Sequence, residues 1–156
     1  MQVSSLLAYT EERLRQFLRH KRFASDRVPI YTDLMHLNGV MLYVKDLPRM
    51  AAFYEDALNL KPNATTTTDA WMEFSFGTIK FALHAIPAQY ANEIEISSPP
   101  QAREDSPTKL LFEVADVDLE SKRLESLGAV VLRRPWRTCD VLDPEGNIFQ
   151  IQVSTS

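Results

Sequence analysis

Residues 40–60, VMLYVKDLPRMAAFYEDALNL, carry two patterns joined at one aspartate. Before Asp46 the phase is that of a strand: Val40, Leu42 and Val44 fall on one side, Met41 and Tyr43 on the other. After Asp46, the residues Met50, Phe53, Tyr54, Ala57 and Leu58 recur at spacings of three and four, which is one face of a helix. Asp46 is a natural helix N-cap, and Pro48 is tolerated in a first turn. Asn59 can take the left-handed stop. The stretch therefore predicts a strand, a cap and an amphipathic helix.

Seventy residues on, the pattern returns in LLFEVADVDLESKRLESLGA, residues 110–129. A strand ends on Asp116, and Val117, Leu124 and Leu127 mark the helix stripe before Gly128. Further strands are expected after each helix. In the first half they are Ala64–Thr68, rich in β-branched residues, and a hairpin of Ala70–Phe76 and Thr78–Ala85 about Gly77. In the second they are Ala129–Arg133, Arg137–Leu142 and Asn147–Val153, the last two joined by the turn Asp143-Pro144-Glu145-Gly146. Each half reads strand-helix-strand-strand-strand. Residues 87–107, with Pro87, Pro99, Pro100 and Pro107, read as a linker with one short helix near residues 88–93.

The four stretches VMLYVKDLPRMAAFYEDALNL, FGTIKFALH, LLFEVADVDLESKRLESLGA and DPEGNIFQIQ, in this order within a tandem repeat, resemble the vicinal oxygen chelate superfamily. That superfamily includes glyoxalase I, bleomycin-resistance proteins and extradiol dioxygenases. The resemblance covers roughly residues 37–153. It implies an α+β fold of two tandem βαβββ units, residues 37–86 and 108–153, whose strands form a curled mixed sheet around a central pocket. Function varies too widely across such a fold to be read from it.

Strand phase selects the residues expected to line that pocket. They are Gly39, Met41 and Tyr43; Lys80, Ala82 and His84; Lys109, Leu111 and Glu113; and Ile148, Gln150 and Gln152. Ile79, Phe81 and Leu83 are expected to bury on the other face. The ligand-binding set is Met41, Tyr43, His84, Lys109, Glu113, Gln150 and Gln152. In the superfamily's metal enzymes four inward positions carry His or Glu ligands, and the resemblance places them here at Gly39, Ala82, Lys109 and Gln150. Two have no ligating side chain, Gln150 is neutral, and an ammonium at Lys109 repels a divalent cation by several kcal/mol at ~4 Å. Neither a metal nor any other cofactor is expected. A substitute set of His84, Glu113 and Glu73 is conceivable, but the second half of the chain has no histidine with which to form a two-histidine site.

His84 is the candidate for acid-base work, with Glu113 or Tyr43 as partner. The plainer reading makes the same three residues hydrogen-bonding groups of a binding pocket. Cys139 reads as a core residue, and as the one cysteine it has no partner for an internal disulfide. Trp71 and Trp136 could stack on a planar ligand or pack at a rim. Arg133, Arg134 and Arg137 read as a solvated edge.

Composition agrees with one domain: 156 residues, 45% hydrophobic, 24% charged, net charge −4. The acidic balance argues against nucleic acid. No apolar run is long enough for a bilayer, and no leader pattern is visible, so no membrane partner and a cytoplasmic location are expected. Residues 1–36 are different. They carry six basic and four acidic side chains, with Leu6, Leu7, Leu14, Phe17 and Leu18 on one face of a predicted helix. This basic arm is expected to pack on its own body or a partner subunit, and the chain to form a homodimer. Three functions follow: a metal-independent small-molecule binder, a lyase, isomerase or dioxygenase with an unusual site, or an interaction module with a vestigial pocket.

Overall fold

The computed structural model describes residues 37–103, 106–134 and 138–153. The arm, Trp136 and Arg137 lie outside the described residues. From Leu37 onward the chain is one compact unit. Its elements are β1 (Gly39–Val44), α1 (Leu47–Leu58), β2 (Trp71–Phe76), β3 (Ile79–Ala85), α2 (Ala88–Ala91), β4 (Leu110–Val114), α3 (Val117–Ser126), β5 (Val130–Arg133), β6 (Thr138–Leu142) and β7 (Ile148–Val153). The α+β reading holds, with two mixed sheets. The first has the order β1-β3-β2 and the second β4-β7-β6-β5. In each, the first strand runs parallel to its neighbour and the other pairings are antiparallel.

The caps fall where the sequence puts them. Asp46 Oδ1 accepts from the Arg49 amide and Asp116 Oδ1 from the Leu119 amide, each satisfying an amide that the helix itself leaves without a partner. Asn59 closes α1 in the left-handed region at φ 51°.

One expected strand is missing. Residues 64–68 form a turn and leave a single bridge between Thr68 and Trp71. Asn63 is the reason. Its Oδ1 accepts from the amide and hydroxyl of Thr65, and its carbonyl accepts from the amides of Thr66 and Thr67 and from both hydroxyls. Such local bonds give the backbone an alternative to a ladder, and here they outweigh β-branched propensity. The first sheet therefore has three strands where the second has four.

The helix-bearing faces of the two sheets share one core. Val44, Met50, Phe53, Tyr54, Phe74 and Leu83 join Leu124, Val141, Phe149 and Ile151 in one buried cluster. Beside it, Phe76, which is partly exposed, and Phe112 approach with ring centroids 6.1 Å apart. Polar bonds fasten the same joint. Arg123 donates to two carbonyls of the last turn of α1, Ala57 (2.6 Å) and Asp56 (2.9 Å), the latter shared with the Asn59 amide.

The strongest fastening is the turn at residues 143–147. Glu145, 3% exposed, accepts from the amide of Lys45 at 2.8 Å and that of Asp46 at 2.7 Å. Asp143 is fully buried. It accepts from the amides of Glu145 and Asn147, the Asn147 side-chain amide and, at 2.8 Å, the Tyr54 hydroxyl. Burial pushes the Asp143 carboxyl above its usual range, although these bonds oppose the shift. Burial, followed by the charge of Asp143, holds the Tyr54 phenol well above its ordinary value.

Candidate functional site

Paired residues on neighbouring strands point to the same side of a sheet, so the registers sort the candidate residues into rows. On the first sheet, away from the core, the rows are Tyr43-His84-Trp71, Met41-Ala82-Glu73 and Gly39-Lys80-Ser75. On the second they are Leu111-Gln150-Asp140 and Glu113-Gln152-Thr138. The edge strands of these faces stand open, with Tyr43 53% exposed, Met41 40% and Leu111 61%, while Ala82, Glu73 and Asp140 further in are buried. Two residues depart from the exposure that strand phase predicts: Ala82, expected to face the pocket, is 3% exposed, and Ile79 is open. Expected to bury, Ile79 is 40% exposed because it begins β3 beside the hairpin turn.

The top row of the first sheet is aromatic. The His84 ring lies 5.2 Å from that of Tyr43 and 5.7 Å from that of Trp71, centroid to centroid. Its Nδ1 is buried and has no hydrogen-bond partner. Below it, Glu73 is buried and lies 3.5 Å from the ammonium of half-exposed Lys80.

The second sheet centres on Asp140, a residue that sequence reasoning missed. It is 3% exposed. Lys109 Nζ donates to one of its oxygens at 2.9 Å, and Arg134 approaches the other at 2.7–2.8 Å. Burial alone raises this carboxyl, but the bonds and charges of Lys109 and Arg134 outweigh it and hold the group below its usual value. The signal was present in TCDVL, where one charged residue interrupts a buried strand in phase with Gln150. Arg134, read as part of a solvated edge, has this buried partner. Gln150 donates to Gln152 at 3.3 Å.

His84 and Glu113 lie on different sheets, and no hydrogen bond joins them. Glu113 instead borders a cavity of about 530 Å³ beside β1 and β4. Its wall includes Val40, Phe81, Leu110, Phe112 and Phe149, with Lys80 and Glu120 at its margin. Cys139 is a buried core residue, as expected.

The four positions that the resemblance assigns to a metal do not suit one. At Gly39 an added Cβ would lie 2.5 Å from the Lys80 carbonyl oxygen, so no ligating side chain fits. Ala82 is covered, and the ammonium of Lys109 is drawn over Asp140. Among the described residues no three His, Cys, Asp or Glu side chains converge as a metal site. Nor is any helix among them long and apolar enough to cross a membrane.

Solved structures share the fold. A glyoxalase/bleomycin resistance protein/dioxygenase family enzyme from Burkholderia phytofirmans PsJN is 22% identical, with 75% of this chain and 97% of that one covered and a TM-score of 0.60. The fosfomycin resistance protein FosX from Mesorhizobium loti is 19% identical over 78% and 94% of the two chains, with a TM-score of 0.57. A mutant FosX from Listeria monocytogenes, complexed with Mn(II) and 1S,2S-dihydroxypropylphosphonic acid, is 17% identical over 78% and 92%, with a TM-score of 0.59. No curated protein matches the chain. The family model described as Glyoxalase/Bleomycin resistance protein/Dioxygenase superfamily matches residues 36–151, so the chain is a member of that superfamily.

Proposed function

We propose that this chain binds a small organic molecule without a metal ion, on the sheet faces that carry Met41, Tyr43, His84, Lys109, Glu113, Gln150 and Gln152. The observation that carries this reading is the Lys109-Asp140-Arg134 cluster. Asp140 is the carboxylate paired in register with Gln150, and two cations already neutralise it. A divalent ion there would have to displace both. It would also sit beside an ammonium, with Gln150 a neutral ligand at best. The Listeria FosX mutant carries Mn(II) on a related fold; the side chains here suit an organic ligand better. An acid-base enzyme using His84 and Glu113 has less support, since the two are not joined within one chain.

Calorimetric titration of EDTA-treated protein with zinc, nickel, iron(II) and manganese should give no stoichiometric, tight binding. One tight equivalent, lost in His84→Ala or Glu113→Ala, would reject this reading.

The binding unit in this proposal is a homodimer. Among the described residues β1 and β4 are both sheet edges, and Met41, Tyr43 and Leu111 stand exposed on them. A second copy would cover these faces and enclose a pocket. Sedimentation should show a dimer, and Leu111→Lys, which places a charge on the most exposed of the three, should shift it toward monomer at least tenfold, about 1.4 kcal/mol. A wild-type monomer at high concentration would remove the dimer from the proposal.

A further inference from the structure

We infer that Tyr43, His84 and Trp71 form the seat for a planar, uncharged aromatic ring. The inference rests on the reading of a metal-independent small-molecule site and names the ligand class. The three residues share one row across β1, β3 and β2, with His84 in the middle. The outer rings are inclined to the imidazole by 42° and 62°. The imidazole lies between them, so the three rings make one continuous aromatic row across the sheet, on whose outer side a planar ring can stack.

The row is not spent on the core. Tyr43 leaves half its surface in solvent on a sheet face turned away from the buried cluster. The Nδ1 of His84 is buried with no partner. A bare acceptor nitrogen is tolerated there better than a bare N–H, which places the imidazole proton on Nε2. His84 then presents a donor that an oxygen on the ligand can accept. Charge selection is weak at this spot. Glu73, the carboxylate one row away on the same face, already has Lys80 beside it.

The test uses the EDTA-treated full-length protein and two probes with one carbon skeleton: 2-naphthol and the saturated decahydro-2-naphthol. By calorimetry 2-naphthol should bind saturably, and the saturated alcohol at least tenfold more weakly. Tyr43→Leu and Trp71→Leu should each weaken 2-naphthol by about tenfold, the upper range of one aromatic contact, while Tyr43→Phe stays within about twofold. The exposed position of Tyr43 makes Tyr43→Leu the variant least prone to misfold, and its melting curve checks this. The His84 imidazole resonances, assigned through His84→Gln, should move on adding 2-naphthol. Equal affinity for both alcohols, no binding of either, or binding indifferent to Tyr43→Leu would overturn the aromatic seat. Those outcomes leave the metal-free reading standing. Binding of 2-naphthol that appears only after a divalent metal is added would overturn both.

Discussion

Glu145→Ala should lower the melting temperature by about 10 °C. Glu145 sits in a turn of the second unit, yet both its oxygens are spent on backbone amides of the first, at Lys45 and Asp46. The side chain is nearly inaccessible. Alanine removes two hydrogen bonds to a charged acceptor and leaves both amides facing a void. Each such bond contributes about 1.5–3 kcal/mol. Because the amides are only partly buried, water recovers some of the loss, and roughly 3–4 kcal/mol remains. For a chain of this size each kcal/mol moves the midpoint by about 2–4 °C. Glu145→Gln keeps one acceptor oxygen and should lose less than half as much. Differential scanning calorimetry of the three proteins decides it. A melting curve for Glu145→Ala within a degree or two of wild type would mean that the joint rests on apolar contacts alone.

The residues around this joint show what the sequence could and could not convey. Asp143-Pro144-Glu145-Gly146 is legible as a turn because turn chemistry is local: Gly146 adopts φ 80°, which the sequence pattern demands. That Glu145 reaches back one hundred residues to cap the exit of β1 is not local, and no periodicity encodes it. The same division runs through the site. Strand phase puts Met41, Tyr43 and His84 on one face, since alternation is a property of the single strand. The neighbours of that face come from register. Trp71 reaches His84 and Asp140 reaches Lys109 only because β2 and β6 pair where they do. Thr65–Thr68 failed for the opposite reason. Propensity favoured a strand, and one asparagine upstream offered those threonines closer partners.

Above pH 10 the wild-type protein should lose stability at about 1.4 kcal/mol per pH unit through one residue, Tyr54. The phenol is buried against Asp143, to which it donates at 2.8 Å. Burial, then the carboxylate's charge and the hydrogen bond, raise its pKa well above the ordinary value of 10.0. In the unfolded chain Tyr54 ionises near that ordinary value; in the fold it keeps its proton to higher pH. Its contribution is therefore complete below pH 10 and is lost as pH climbs from there toward the folded pKa. The loss continues at that slope until the pH reaches the folded pKa and then levels off. Tyr54→Phe separates this from general alkaline unfolding. At pH 7 the variant should be weaker by about 1–3 kcal/mol, because buried Asp143 loses a donor. Between pH 10 and 12 its stability should fall less steeply than that of wild type, so the two curves converge. Urea unfolding followed across that range gives both slopes. Parallel curves would show that Tyr54 ionises in the folded protein as readily as in the unfolded chain, and that the buried Tyr54–Asp143 pair does not govern the alkaline limit.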